Sequence, residues 1–353
     1  MQRQWPGGLL LLGALLYGPG CAHQRGQGLA HFQTGESIVL AGPAPARLAF
    51  TPAPAKSIRI RSTYRNGLPA TVPYEKGRDF VVTATGDICR TPDSRIPDFG
   101  TNILYGKEDF NHSQFPGYGN LPYFVYVDYQ HREAWTLPPV KPEFSAAALP
   151  VTRQKLLAGE AVRIIAYGDS ITTGGEASEP GLIFWNRWAD MLRQKYPQAR
   201  IETINGATGG DSTVQGLQRL PAKVLSQKPD LVLIGFGMND HNREGYGVPL
   251  AKFAENLGTM IDRIRAETAA EIVLYSAFPP NPKWHFGSHN MAAYADATER
   301  VAREKHCAFA DVFHLWQQVA ARKKPEDLLA NNINHPNDFG HWIYFQALQN
   351  LGL

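Results

Sequence analysis

The 353-residue chain lacks long blocks of like charge, metal-binding cysteine spacings and, beyond its N-terminus, long apolar runs. Its formal net charge is only +3, so neither nucleic acid nor an anionic membrane surface is expected as a partner. No later apolar segment is long enough to cross a membrane as a helix, and no cysteine–histidine spacing suggests a zinc site. With 43% hydrophobic and 19% charged residues, the composition is that of a globular protein of one large or two moderate domains.

Cysteine is scarce, with three residues in the whole chain. If Cys21 is removed or lipidated, Cys89 and Cys307 remain. An exported compartment would permit these two thiols to pair, but two buried free thiols are equally compatible with the sequence. The sequence leaves both states open.

The first residues have the pattern of an export signal. Arg3 provides a basic start, the apolar stretch GGLLLLGALLYG follows, and small residues surround Cys21. The apolar stretch of about 12 residues is too short to span a bilayer. We therefore predict a signal peptide over residues 1–22 and a secreted or periplasmic protein. A lipid anchor on Cys21, giving an outer-membrane lipoprotein, is the alternative.

The region from residue 30 to 136 is predicted to be a small antiparallel β-sandwich. Segments such as SIRIRST, DFVVTAT and YFVYVDY are rich in β-branched and aromatic residues, and turn signals such as RNGLP and FPGYGN separate them. Long helical periodicity is absent here. Residues 137–158 are rich in proline and alanine and are predicted to link this accessory domain to the next.

From residue 159 to 353 the pattern changes to alternating strands and helices. Short apolar runs such as VRIIAY, LVLIGF and EIVLYSA alternate with amphipathic stretches. In the stretch LAKFAENLGTMIDRIRAE the apolar residues fall on one helical face. This alternation predicts an α/β domain in which helices cover both sides of a parallel sheet.

Polar residues stand where these predicted strands end. Ser170 follows VRIIAY, Gly210 lies in NGATGGDST, Asn239 follows LVLIGF, and His335 precedes the last helix. A serine hydroxyl becomes a nucleophile when a histidine accepts its proton. The backbone N–H groups of Ser170 and Gly210, with the Asn239 amide, are suitable donors to the oxyanion formed during ester attack. The sequence thus predicts acyl transfer at one sheet edge.

The blocks GDS, NGATGGD, GMND and HPND together resemble the four signature blocks of the SGNH, or GDSL, hydrolase family. The resemblance covers about residues 160 to 350. It implies a flavodoxin-like three-layer α/β/α sandwich with a five-stranded parallel sheet. It also implies Ser170 as nucleophile, His335 as base, and an oxyanion hole of Ser170, Gly210 and Asn239. No metal or organic cofactor is implied.

One position departs from the family pattern. The family usually carries aspartate three residues before its histidine, and this chain has Asn332. Neutral asparagine can orient an imidazole but cannot offset the charge of an imidazolium. Three arrangements remain open: Asn332 orients His335, a backbone carbonyl does so in a Ser–His dyad, or Asp338 reaches in. We favour a dyad helped by the backbone or by Asn332.

The predicted substrate is an acetylated carbohydrate. An export signal and an accessory β-domain resemble the architecture of some secreted polysaccharide acetyl esterases. Trp284 and His285 lie in the loop PPNPKWHFGSHN, where Trp284 could stack on a sugar or simply pack within the loop. Arg95 lies in a polar segment that could border the cleft or be solvated. The alternatives are a general short-chain esterase or lysophospholipase and, in another class, a non-catalytic carbohydrate-binding protein.

Overall fold

The computed structural model describes residues 31–133 and 139–353. The predicted signal peptide and Cys21 lie outside the described residues. Eleven β-strands occur within these ranges: β1 (His31–Ile38), β2 (Arg59–Arg61), β3 (Pro73–Tyr74), β4 (Phe80–Val82), β5 (Ile88–Arg90), β6 (Val125–His131), β7 (Ala161–Gly168), β8 (Arg200–Asn205), β9 (Leu231–Gly235), β10 (Glu271–Tyr275) and β11 (Ala308–Ala310). The α-helices there are α1 (Pro150–Ala158), α2 (Ser170–Thr173), α3 (Phe184–Lys195), α4 (Thr213–Lys223), α5 (Leu250–Glu267), α6 (Met291–Glu304), α7 (Val312–Ala320) and α8 (Asp338–Gln349).

The last five strands form a parallel sheet in the order β11-β10-β9-β7-β8. All five residues of β9 are buried, as expected for a strand whose two faces are both covered by helices. The chain adds β8 on one side of β7 and then returns to add β9 on the other side. This is the flavodoxin-like strand order, and it creates a switch point between β7 and β9. The fold class expected from the sequence is confirmed.

The helices pack on the sheet through the apolar faces that the sequence predicted. In α5 the predicted stripe is at most 1% exposed, and it consists of Phe253, Leu257, Met260, Ile261 and Ile264. In α3, Trp185 and Trp188 are likewise buried. Within the described part of the predicted linker, α1 follows two 3-10 turns, and Phe144 and Leu149 are buried there.

The N-terminal strands are antiparallel, as the sequence predicted. Four of them form a sheet in the order β1-β6-β2-β3, and β4 pairs with β5 as a separate hairpin. The apolar segment around Leu48 and Phe50 is buried but lies outside the strands. Its amides are bound by side chains, since Ala49 N donates to Glu36 and Phe50 N to the Tyr129 hydroxyl.

The N-terminal region and the α/β region share buried contacts. Lys323 Nζ lies 2.7 Å from Glu36 Oε1, and both side chains are fully buried. The Asp327 carboxylate accepts the N–H of Val39 at 2.8 Å, and its backbone oxygen accepts the Ser37 hydroxyl at 2.6 Å. Strand β1 therefore supports the segment that leads to His335. The domain boundaries at residues 30, 137 and 159 stay predictions.

Cys89 and Cys307 are both free thiols, half-buried and buried respectively. No helix in residues 31–133 and 139–353 has the length and apolarity needed to span a membrane. The same ranges contain no group of three or more histidine, cysteine, aspartate or glutamate side chains arranged to hold a metal ion.

Candidate active site

Ser170 lies at the carboxyl end of β7, beside the switch point of the sheet. Strand β7 ends at Gly168, and Asp169 caps the one-turn helix α2 by accepting the N–H of Ile171 at 3.0 Å. Ser170 is the first residue of that helix and is half-buried. Burial raises the pKa of the Asp169 carboxyl to about 7. Asp169 therefore stabilises the turn that carries Ser170.

His335 is presented by a loop that one asparagine side chain organises. The side-chain oxygen of Asn331 accepts the backbone N–H groups of Ile333, Asn334 and His335, each at 2.9 Å. This loop directs the imidazole toward α2, and His335 Nε2 lies 2.9 Å from Ser170 Oγ. In this arrangement the ring nitrogen can accept the hydroxyl proton. Sequence reasoning missed Asn331, although asparagine commonly makes such backbone contacts in turns.

Gly210 occupies a turn that follows β8 and is attached to the end of β7. Thr208 N donates to Gly168 O at 3.0 Å, and Asp211 N closes the turn on Thr208 O at 3.3 Å. Gly210 is the third turn residue and has a φ of +80°, which favours glycine as in a type II turn. The backbone of Gly210 is exposed at the same sheet edge as Ser170.

Asn239 follows β9 and reaches toward the same turn. Its side-chain amide donates to Asp211 O at 2.9 Å, directly beside Gly210. The next residue, Asp240, is fully buried and accepts both the backbone N–H and the hydroxyl of Thr213. Burial raises the pKa of Asp240 to about 6. Asp240 thus ties the loops after β8 and β9 together, and Asn239 remains at the edge.

Asn332 is not in contact with the His335 ring. Its side-chain oxygen accepts the amide of Asn120 at 3.1 Å and that of Asn281 at 3.3 Å. The residue is buried and has a φ of +61°, and the two amides that bind its side-chain oxygen come from outside the loop of His335. The hypothesis that Asn332 orients His335 therefore has no contact in the structure to support it.

Asp338, the other side chain considered as a partner of His335, binds a different group. Its carboxylate accepts the backbone N–H of Ser178 at 2.9 Å. The carboxylate that does face His335 is Glu176, whose Oε1 lies 3.7 Å from Nδ1 of the ring. Sequence reasoning missed Glu176, because nothing in the local pattern GGEAS indicates that this loop turns back toward a residue near the C-terminus.

The residues expected to bind substrate, Trp284, His285 and Arg95, lie in different surroundings. Trp284 is only 6% exposed, and its indole N–H donates to His112 Nδ1 at 3.0 Å. It packs in a small apolar cluster with Leu104, Phe110 and Ile333, which agrees with the loop-packing alternative. His285 is half-buried, and its Nδ1 lies 3.0 Å from Asp109 Oδ1.

Arg95 lies within the N-terminal region. Its guanidinium contacts both carboxylate oxygens of the buried Asp79, at 3.0 and 2.6 Å. These hydrogen bonds hold the pKa of the Asp79 carboxyl well below its usual range. Its further contacts are with Pro73 O and Glu75. These contacts assign Arg95 to a local ion pair, and none of them involves the residues around Ser170.

A family model described as the GDSL-like lipase/acylhydrolase family matches residues 166–343. Esterase TesA of Pseudomonas aeruginosa is 30% identical over 152 residues, covering 42% of this chain and 70% of that esterase. The acetylxylan esterase of Geobacillus stearothermophilus is 23% identical over 205 residues, covering 54% of this chain and 93% of that enzyme.

Among solved structures, a two-domain esterase active on acetylated mannans, co-crystallised with mannopentaose, resembles this chain with a TM-score of 0.50 and 24% sequence identity. The likeness covers 60% of this chain and 55% of that protein, so this chain spans about half the length of that esterase. At this level of identity the likeness concerns the fold.

Proposed function

Because this chain belongs to the GDSL-like lipase/acylhydrolase family and is a carboxylic ester hydrolase, we propose that it removes O-acetyl groups from a carbohydrate through an acyl-serine intermediate. Ser170 is the nucleophile and His335 the base. The observation that carries this proposal is the 2.9 Å contact between Ser170 Oγ and His335 Nε2 at the carboxyl edge of the sheet.

In the acylation half of the proposed reaction, Ser170 Oγ attacks the acetyl carbonyl while His335 Nε2 takes the hydroxyl proton. The negative charge on the carbonyl oxygen is stabilised by N–H groups of Ser170, Gly210 and Asn239. Collapse of this intermediate breaks the ester bond, and the sugar hydroxyl leaves with the proton from His335. A water molecule then attacks the acetyl-serine with the same base, which releases acetate and restores Ser170.

The segment that precedes β6 supports a substrate larger than a simple ester. Phe110 N donates to Lys283 O at 2.9 Å, and Asn120 N donates to Ala330 O at 2.6 Å. Residues of the N-terminal region thus border both the loop that contains Trp284 and the loop that contains His335. An accessory region in this position is suited to extend a cleft along a carbohydrate chain.

An exposed aromatic pair lies in the loops near this border. Tyr246 is 68% exposed and packs edge-to-face on half-buried Phe286, with ring centroids 5.1 Å apart. Its loop follows Asn239 directly along the chain. An exposed tyrosine supported by a second ring can offer an apolar face to a sugar. We therefore assign sugar stacking to Tyr246 and Phe286 instead of Trp284.

Two relatives that act on acetylated polysaccharides add support. The Geobacillus stearothermophilus relative is an acetylxylan esterase, and the two-domain structural relative acts on acetylated mannans. The predicted export signal is compatible with such extracellular substrates. The similarity to esterase TesA favours a second candidate, a general short-chain esterase.

The deciding experiment measures acetate release from acetylated xylan, mannan, pectin and sialic acid, with an aryl octanoate ester alongside. Wild type and Ser170→Ala are compared, with Thr173→Ala as a control on the same helix. Preference for one glycan and an inactive Ser170→Ala would support the proposal. Turnover of the aryl ester alone would support the general esterase. No turnover of any substrate by wild type would favour a carbohydrate-binding protein.

A further inference from the structure

The second nitrogen of the His335 ring lacks a hydrogen-bond partner among the described residues. Nδ1 is a buried atom, and neither the Asn332 side chain nor a backbone carbonyl of that part of the chain binds it. A histidine that accepts a proton at Nε2 works best when a group at Nδ1 fixes its tautomer and stabilises its charged form. Neither helper expected from the sequence, a backbone carbonyl or the Asn332 side chain, therefore supplies such a group in the described residues.

We propose that Glu176 is the positioning carboxylate of His335, in the role that aspartate three residues before the histidine usually has. This inference rests on the proposed roles of Ser170 and His335. Glu176 Oε1 lies 3.7 Å from Nδ1, within ion-pair range, and the Glu176 side chain is one-third exposed. The carboxylate comes from the loop after the nucleophile and not from the loop of the histidine.

The loop that carries Glu176 is held against the imidazole from two sides. Gly175 N donates to Ser170 O at 2.9 Å, and the buried His341 Nε2 donates to Gly175 O at 3.2 Å. A Cβ atom on Gly175 would lie 3.3 Å from His335 Nδ1 and 2.8 Å from Ser170 O, so only glycine fits there without displacement. Ser178 N is fixed by Asp338. The backbone on both sides of Glu176 is therefore anchored to α8 and α2.

The backbone at Glu176 has a φ of +64°, a left-handed conformation that is uncommon for glutamate. Uncommon backbone conformations of this kind persist where surrounding contacts enforce them, and they cluster at functional sites. Here the enforcing contacts are those of Gly175 and Ser178. The conformation directs the carboxylate toward His335.

A separation of 3.7 Å is longer than a hydrogen bond. Catalytic hydrogen bonds are often long without substrate and shorten when the complex forms. A partly exposed glutamate side chain has the rotational freedom to close this gap when the ring becomes charged. Interaction with His335 already holds the pKa of Glu176 below its usual value, against the opposing effect of burial.

The other titratable groups considered near the pair are either neutral near pH 7 or bonded to groups other than the His335 ring. Burial raises the pKa of Tyr118 and lowers that of His341 to about 3, so both are neutral near pH 7. Asp169 interacts electrostatically with His335, but it is buried with a pKa raised to about 7, and its carboxylate is bonded to the α2 backbone and not to the imidazole ring. Asp169 is unchanged in every variant below, so a difference between variants reports on Glu176.

The test compares wild type, Glu176→Gln and the control Glu179→Gln with 4-nitrophenyl acetate from pH 5 to 9. Glu179 lies in the same loop, but its partner is Arg65 at 2.8 Å. We expect kcat/KM of Glu176→Gln to fall roughly 10- to 1,000-fold, less than the roughly 10⁴-fold loss when a buried triad aspartate is neutralised, because Glu176 is partly exposed. The acidic limb of the kcat/KM profile should move to lower pH, since the imidazolium loses its anionic neighbour.

Two results would overturn this inference. One is a Glu176→Gln variant that matches wild type in rate and pH profile. The other is a rate loss accompanied by an unchanged pH profile and a lowered Tm, which would assign Glu176 a merely structural role. Ser170→Ala and His335→Ala are measured alongside. If those two retain activity, the proposed function fails, and that outcome is distinct from a failure of Glu176 alone.

Discussion

The parallel sheet and the N-terminal region use polar side chains in different ways. In the parallel sheet the strand interiors are apolar, as in β9, and polar residues stand at the strand ends. In the N-terminal region most strands have only two or three residues, and side chains such as Glu36 and Tyr129 bind backbone that no strand pairs. The first pattern gathers polar groups at one edge, where chemistry can occur. The pattern of the N-terminal region spreads polar side chains over many sites, where they bind unpaired backbone and stabilise the fold.

The largest expected effect concerns the contact between the two regions. Lys323→Met removes one member of the fully buried pair with Glu36. Breaking a buried ion pair in this way typically costs about 3–5 kcal/mol of unfolding free energy. Chemical denaturation of Lys323→Met should show this loss of unfolding free energy. At temperatures where the variant is still folded, its kcat/KM should change little. The adjacent exposed Lys324→Met is the control.

The shape of the unfolding transition of Lys323→Met tests whether the two regions unfold together. A single transition shifted as a whole would mean that the two regions unfold together. Two separated transitions would mean that the N-terminal region unfolds as an independent domain. An unaltered transition would contradict a stabilising role for the pair.

The second prediction concerns the sheet edge. Asn239→Ala removes a proposed oxyanion donor, and loss of one such donor typically lowers kcat by roughly 10²–10³-fold. KM and Tm should change little if the side chain acts mainly on the transition state. Asn242→Ala, in the same loop, serves as the control. A tenfold or smaller change in kcat for Asn239→Ala would argue against this donor.

The third prediction concerns a buried histidine of the α/β region. Burial lowers the pKa of His341 to about 3, whereas an unfolded histidine titrates near 6.5. The stability from neutral His341 is therefore complete above pH 6.5 and is lost as the pH falls toward 3. Below pH 6.5 the loss approaches about 1.4 kcal/mol per pH unit. His341→Gln keeps an N–H donor for Gly175 and should lack this component.

Urea unfolding of wild type and His341→Gln between pH 8 and pH 4 measures that difference. Asp169 and Asp240 titrate in both proteins, so their opposite contribution cancels. Parallel stability curves for the two proteins would contradict the prediction.

The smallest expected effect is on KM, and it distinguishes Tyr246, a proposed substrate contact, from Arg95, a residue of a local ion pair. Tyr246→Ala should raise KM for an acetylated polysaccharide by roughly 2- to 10-fold, as expected for the loss of one aromatic contact. KM for 4-nitrophenyl acetate should stay unchanged. Arg95→Ala should leave KM for the polysaccharide and KM for 4-nitrophenyl acetate unchanged, because Arg95 pairs with Asp79 in the N-terminal region. If Arg95→Ala raised KM for the polysaccharide and Tyr246→Ala did not, the sugar-binding surface would lie in the N-terminal region around Arg95.

The layers of the α/β region and the reacting groups could be predicted from the amino-acid sequence. Apolar periodicity is local, so the strands around Ser170 and Asn239 and the helical stripe of α5 could be read from it. Carboxyl ends of parallel strands share one edge, which is why the sequence predicts that Ser170 and Asn239 lie together. The antiparallel nature of the N-terminal strands was equally predictable from composition and turns.

The groups that support those residues depend on tertiary packing and could not be predicted from local patterns. The contact of Glu176 with His335, the capture of Asn332 by Asn120 and Asn281, and the burial of Trp284 all join segments distant in sequence. Local patterns define where a side chain stands on its own strand or loop. They do not define which remote loop lies opposite, because that depends on how the whole chain packs.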